Sequence, residues 1–297
     1  MTQFYKYHGA GNDFLIADNR SGETALQAAD IRHLCDRHTG FGADGVMLLE
    51  GSENYVFRMR FFNPDGSGGM MCGNGGRCIV AFAADLGIIP VGRLITFAAP
   101  DGIHEAVVTA NAYPEKTVQL RMKDVSGIKV WPEEHSCFLD TGTRHLVKFV
   151  EGLRDYPVAE EGRGLRYDPR FAPIGTNVNF VEPETLADGG TVLNIRTFEK
   201  GVEGETLACG TGIVAAALAA FHQGLPCQNT EDGYRKYTIK AAIAGLTVEF
   251  RAEGRNEYFR AGHIWLTGPA TFIGKVFAPG VIPDFSLEEC DSALAEI

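Results

Sequence analysis

The chain has 297 residues, of which 45% are hydrophobic and 22% charged, with a formal net charge of −11. That balance excludes a general binder of nucleic acid or membrane surfaces, which would need an electropositive face, and leaves a small molecule as the expected partner. Length and apolar content suffice for two domains, and seven scattered cysteines, an odd number, point to reduced thiols in the cytoplasm rather than to a disulfide framework.

Residues 1–20 contain Lys6, Asp13, Asp18 and Arg20 and no apolar run, so no secretory signal is read. Phe4 to Tyr7 and Phe14 to Ala17 read as strands on either side of the loop His8-Gly9-Ala10-Gly11-Asn12-Asp13. Ala25 to His38 has helical spacing, with Ile31 and Leu34 on its apolar side and Thr39-Gly40 as its stop. Tyr55 to Phe62 is strand-like and leads into a glycine-rich loop, Asn63 to Gly69, followed by a helix from Cys72 to about Leu86-Gly87. Leu94 to Ala99, Ala106 to Ala110 and Thr117 to Met122 read as strands with a turn at Asp101-Gly102. Residues 135 to 150 are extended, and the charged, glycine-bearing stretch Glu151 to Gly164 reads as a loop. Beyond it come strands at Asn177 to Val181 and Thr191 to Phe198, then a glycine loop. A helix from Cys209 to about Gln223-Gly224 follows, then a hairpin of Tyr237 to Ile239 with Leu246 to Phe250, and further strand over Tyr258 to Phe277. The longest apolar run, Ile213 to Phe221, is too short to span a bilayer.

The two halves share one order: strand, polar residue, glycine-rich loop, Cys-Gly, helix, strands. That order identifies an internal repeat. Met71-Cys72-Gly73-Asn74-Gly75 and Ala208-Cys209-Gly210-Thr211-Gly212 are its most similar parts. A cysteine at a helix start meets unpaired backbone amides and the positive end of the helix dipole, which favour thiolate over thiol, and the glycines let a ligand approach the backbone. Cys35, Cys78, Cys137, Cys227 and Cys290 have no such setting and read as buried structural thiols. No paired Cys spacing exists, the eight histidines are scattered and Cys-x-x-Cys is absent, so neither a metal site nor a thioredoxin-like pair is expected.

Three segments together resemble those of the diaminopimelate epimerase family: His8 to Phe14, Phe62-Asn63-Pro64-Asp65-Gly66-Ser67 through Cys72-Gly73-Asn74-Gly75-Gly76-Arg77-Cys78, and Gly204 to Gly212. The resemblance spans nearly the whole chain. It implies an α/β fold of two pseudo-symmetric domains, each a β-structure wrapped around a central helix, with the active site in the cleft between them. The expected halves are residues 1–135 with Cys72 and 136–275 with Cys209, and residues 276–297 form a tail that can pack back on the N-terminal half. It further implies epimerisation of LL-2,6-diaminopimelate to the meso form, in lysine and cell-wall precursor biosynthesis, without pyridoxal phosphate, metal or other cofactor. A small-molecule substrate is then the expected partner, and a homodimer stays open.

Inverting an α-carbon takes a proton from one face and returns one to the other, so two acid/base groups must flank it, and Cys72 and Cys209 suit that task. Amides near Gly73-Asn74 and Gly210-Thr211 would stabilise charge developing on the α-carboxylate. By similarity, Asn12, Asn74, Glu199, Gly210 and Thr211 hold the reacting centre, Glu199 taking the ammonium, while Asn63, Asn177 and Lys200 grip the far end and His145 lies nearby. The chain departs from the family at two places on that far end: Gly142-Thr143-Arg144-His145 replaces Gly-Asn-Pro-His, and Lys200 replaces an arginine, losing a bidentate fork but keeping the charge. The loop before Cys209 is one residue longer, through Glu203. Arg144 is therefore a candidate to compensate. A racemase or epimerase of another amino acid would keep both thiols and alter this far end, whereas a non-catalytic ligand-binding relative would need neither thiol.

Overall fold

A helix that is apolar on every side is stable only when protein surrounds it, and two of the helices here are of that kind. The computed structural model describes residues 2–187 and 190–278. The strands of the first half are β1 (Thr2–Gly9), β2 (Asn12–Asn19), β3 (Val46–Glu50), β4 (Arg58–Phe62), β5 (Ile95–Ala99), β6 (Gly102–Asn111), β7 (Glu115–Arg121), β8 (Val125–Ser126) and β9 (Lys129–Trp131). Those that follow are β10 (Ser136–Asp140), β11 (Arg144–Phe149), β12 (Asn177–Thr185), β13 (Thr191–Glu199), β14 (Gly204–Thr206), β15 (Gln228–Asn229), β16 (Arg235–Lys240), β17 (Gly245–Glu253) and β18 (Arg260–Ala278). The helices are α1 (Ala28–Cys35), α2 (Gly73–Asp85), α3 (Val158–Arg166) and α4 (Gly210–His222).

In the first half β1, β2, β3, β6 and β7 wrap α2; in the second β10 to β13, β16 and β17 wrap α4. Every residue from Gly73 to Ala83 in α2 is buried, as is every residue from Gly210 to Ala220 in α4 except Thr211. Each half also carries an outer helix. On β2, Phe14 and Ile16 face the core that holds α2, while Leu15 and Ala17 face a second cluster under Ile31 and Leu34 of α1. On β12, Val181 faces inward, while Val178 and Phe180 face a cluster with Val158 of α3. Strands covered on both faces read as continuous apolar runs rather than alternating ones, which is the pattern of Phe14 to Ala17 and Val178 to Val181.

The loop expected over His8 to Asp13 is shorter than the sequence suggests. His8 and Gly9 pair with Asp13 and Asn12, leaving only Ala10 and Gly11 as the turn, at φ 54° and 91°. Both central residues at positive φ match the twist of a two-residue hairpin. The segment read as a loop from Glu151 to Gly164 also differs, because Val158–Arg166 is the helix α3. Its inner side is formed by Val158, Gly162 and the stem of Arg166, too thin an apolar stripe to register as periodic.

The strand β18 belongs to both halves. Its first residues pair with β17 (Thr247↔Thr267 to Glu253↔Arg260), Gly268 to Thr271 pair with β7, and the remainder runs along β1 to Thr2↔Ala278. Of the expected tail, residues 276–278 lie on β1; 279–297, with Cys290, lie outside the described residues. No helix among the described residues is long and apolar enough to cross a membrane.

Candidate active site

The N-termini of α2 and α4 meet head to head between the halves. Cys72 and Cys209 are their N-cap residues, both in extended backbone conformation (φ −112° and −113°), and the first-turn amides beyond them have no partner inside the helix. Glycine makes the junction possible. A Cβ built on Gly210 would lie 3.4 Å from the Cα of Gly73 and 3.3 Å from Leu266, so side chains here would push the helix ends apart. Over the junction lies a cleft of about 1740 Å³, lined by both cysteines, Gly73, Gly210, Asn12, Asn63, Asn74, Asn177, Arg144, Glu199, Lys200 and Thr211. The site residues expected from the sequence thus come together, save His145, which lies beneath the cleft floor.

The two thiols differ in their support. Half-buried Cys72 Sγ accepts the Gly75 amide at 3.3 Å and lies 4.0 Å from Asn12 Oδ1. Cys209 Sγ is 3.4 Å from Thr211 Oγ1. Thr211 Oγ1 in turn is 2.9 Å from His145 Nε2, and Asn179 Nδ2 lies 3.0 Å from His145 Nδ1. Asn179 also donates to Leu146 O and accepts from Thr197 Oγ1, which fixes which way its amide faces. Its amino group must then donate to Nδ1, so the imidazole proton sits on Nε2 and points toward Thr211 and Thr143. Burial holds His145 neutral, its pKa pushed down to about 3.

The expectation that the helix ends favour thiolate is reversed in this state. Burial pushes the Cys72 thiol up and the Cys209 thiol up to about 12, and the nearby carboxylate of Glu199 raises both further. The Gly75 amide and the Thr211 hydroxyl act the other way but are outweighed. A helix end carries only about half a charge, and taking a thiolate out of water costs more than that supplies. Glu199 is itself raised by burial while accepting a hydrogen bond from Thr206 Oγ1 at 2.9 Å.

Several expected binding side chains are engaged within the protein. Asn74 donates to Ala208 O in the opposite half at 3.1 Å and accepts from Arg77 at 2.8 Å, so its backbone amide is the part left for a ligand. Asn177 donates to Arg144 O and accepts the Lys200 amide, tying together the chain segments that carry the two cations. Asn63 donates to Ser67 Oγ and Gly68 O, and Asn12 to Asp44 Oδ2 at 2.6 Å. Of the lysines and arginines lining the cleft, Lys6 and Arg37 are bound to Asp13 or Asp44. Arg144 and Lys200 have no side-chain acceptor among the described residues. In a chain of net charge −11, two cleft-lining cations without a partner among the described residues, on chain segments that Asn177 ties together, make a seat for an anion.

No signal in the sequence marks Asp44 or Asn179, and Thr206 lies inside the segment Gly204 to Gly212 without an assigned role. Each acts by orienting another polar group across a gap in sequence, and no periodicity or spacing encodes that. Arg77 lay inside a motif without a role.

The family model for diaminopimelate epimerase matches residues 4–123 and 137–271. The diaminopimelate epimerase of Chlorobaculum tepidum is 48% identical over 219 residues, covering 73% of this chain and 82% of that protein. That of Flavobacterium psychrophilum is 40% identical over 272 residues, covering 91% and 98%. In fold, the chain is similar to a phenazine biosynthesis protein of the PhzF family from Bacillus anthracis, with a TM-score of 0.68 at 15% identity over 93% of this chain and 98% of that one. With the paired cysteine-capped helices in one cleft and matches over most of its length, the chain belongs to the diaminopimelate epimerase family, whose members are isomerases.

Proposed function

We propose that the protein interconverts LL- and meso-2,6-diaminopimelate by a two-base proton exchange between Cys72 and Cys209, each half of the chain (residues 1–135 and 136–275) supplying one thiol. The observation that carries this reading is the head-to-head meeting of the two cysteine-capped helices at Gly73 and Gly210. A substrate α-carboxylate over that junction would receive amides from both helix ends at once. Its α-carbon would then lie between the thiols.

The substrate ammonium would pair with Glu199, removing the lone carboxylate field that raises both thiols. One thiol gives up its proton to water as the substrate enters, and the thiolate left is supported by the Gly75 amide at Cys72 or the Thr211 hydroxyl at Cys209. The thiolate takes the α-proton, and the electron pair of the broken C–H bond moves into the carboxylate as an enediolate, stabilised by amides preorganised in a dry cleft. The opposite thiol returns its proton to the other face, so the two sulfurs end with exchanged protonation. In this reading the amide dipoles do the work of a cofactor's electron sink. Lys200 and Arg144 hold the second carboxylate. The free cysteines suit a cytoplasmic enzyme.

Turnover of LL-diaminopimelate in deuterated water, followed by NMR, should place deuterium at the inverted α-carbon of the first-formed product. Product that retains the substrate's own proton there would refute exchange between two bases. Faster turnover of a monocarboxylate amino acid than of diaminopimelate would keep the mechanism and refute the substrate.

A further inference from the structure

Arg77 has no exposed surface, and among the described residues it has no carboxylate partner. The other buried lysine and arginine side chains there, Lys116 and Arg166, each have one, Asp85 and Glu203 respectively. A buried cation without a counter-charge is costly to fold around. Its neighbours are specific. The guanidinium donates to Gly73 O at 3.1 Å, to Asn74 Oδ1 at 2.8 Å and to Pro269 O of β18 at 3.1 Å. A Cβ on Gly268 would lie 3.2 Å from its Nε, so that glycine leaves room for it. Asn74, held by Arg77 on one side, donates on the other to Ala208, the residue before Cys209. The corresponding position of the second helix, five residues after Cys209, is Val214. The pseudo-symmetry of the two thiol sites is therefore broken here, with a positive charge on the Cys72 side alone.

We infer that Arg77 is a positioning residue of the proton exchange, fixing Asn74 across the junction and serving as buried counter-charge to the anionic state of the Cys72 side. This rests on the two-thiol reading above. The charged and titratable groups around Cys72 are Glu199 from β13, Cys209 from the start of α4, and Arg77 and the buried thiol of Cys78 from α2, with the Asn74 and Gly75 amides beside the sulfur. Of these, only Arg77 supplies a full positive charge. Its presence favours the Cys72 thiolate, and its guanidinium is bonded to Gly73 and Asn74, the two residues that follow Cys72.

The test uses Arg77→Met and Arg77→Lys in the full-length protein, reading alkylation of Cys72 and Cys209 separately by peptide mass spectrometry as a function of pH, with kcat, KM and thermal unfolding alongside. Arg77→Met should raise the alkylation midpoint of Cys72 by about one pH unit, leave that of Cys209 in place and lower kcat at least tenfold. Arg77→Lys should restore the Cys72 midpoint while kcat stays low, because an ammonium cannot hold three acceptors in the fork geometry. A Met variant that folds with a wild-type Cys72 midpoint, or in which both cysteines shift equally, overturns the inference. Should the Met variant fail to fold, the Lys variant decides, and wild-type kcat in it overturns the positioning role. If instead Cys72→Ala retains full epimerisation, the two-thiol reading has failed, an outcome distinguishable because it is read from turnover and not from the alkylation midpoints of the Arg77 variants.

Discussion

Gly212 sits in the first turn of α4, directly over the group that orients His145. A Cβ built there would lie 3.2 Å from Asn179 Cγ and closer still to Asn179 Oδ1. Asn179 cannot yield cheaply, because it is fully buried and bonded to His145 Nδ1, Leu146 O and Thr197 Oγ1. Two effects oppose each other in Gly212→Ala. Alanine favours the helix by about 1 kcal/mol. Displacing Asn179 leaves one or two buried polar groups unpaired at roughly 1–3 kcal/mol each, with an overpacking cost of similar size. The loss wins, by roughly 1–8 kcal/mol net on these magnitudes. Gly164 provides the control, since it lies in α3, is exposed, and a Cβ on it meets nothing within 4 Å. Thermal unfolding should therefore show Gly212→Ala melting well below wild type and Gly164→Ala at or above it. Epimerase assays should show kcat reduced only in the first, because His145 no longer presents Nε2–H to Thr211. If Gly212→Ala melts at the wild-type temperature with unchanged kcat, the Asn179 bracket does not support Cys209 as described.

Cys72→Ala and Cys209→Ala should each abolish epimerisation, whereas Cys78→Ala, fully buried in α2, should cost about 1 kcal/mol of stability and leave turnover largely intact, as steady-state assays will show. Lys200→Met should raise KM for diaminopimelate by roughly 10- to 150-fold, the worth of a charge-assisted hydrogen bond at about 1.5–3 kcal/mol. Arg144→Met should add to that loss, and a KM unchanged in both variants would remove the far-end anion seat. For His145, with an ordinary value near 6.5 and a folded value of about 3, stability is fully present above about 6.5 and drains away as the pH falls toward 3. The unfolded chain takes up a proton that the folded one refuses. Denaturation midpoints between pH 7 and 5 should accordingly fall less steeply in His145→Gln than in wild type.

Much of the framework was legible because it is local. The Cys-Gly openings of α2 and α4 and their ends near Leu86 and Gln223 follow from apolar runs bounded by glycine, and the observed helices end within a residue or two of the expected places. The convergence of both cysteines with Asn12, Glu199 and Lys200 in one cleft follows from the resemblance rather than from spacing. What escaped reading depends on tertiary context. α3 is anchored by the stem of Arg166, whose guanidinium is bound to Glu203, and a charged residue on an inner face has no periodic signature. The thiols' resting state escaped as well, since the dipole can be read from a helix start while the burial and the Glu199 field that outweigh it exist only in the folded molecule. Likewise, nothing in the letters tells that Asn74 and Asn177 are engaged by their own protein.

The 19-residue strand β18 has a consequence for how the chain is made. A ribosome delivers Cys72 and all of α2 early, yet β1 and β7 must wait for residues 268–278 before their open edges are paired. Until then the nascent first half exposes unpaired strand edges and an apolar helix without its full cover. Pairing Thr2 with Ala278 makes closure a contact across nearly the whole length of the chain, the kind that slows folding. The last strand to emerge among the described residues is thus the one that fastens the first, and a chain cut short before residue 268 would lose both the edge partner of β1 and the carbonyl of Pro269 on which Arg77 rests.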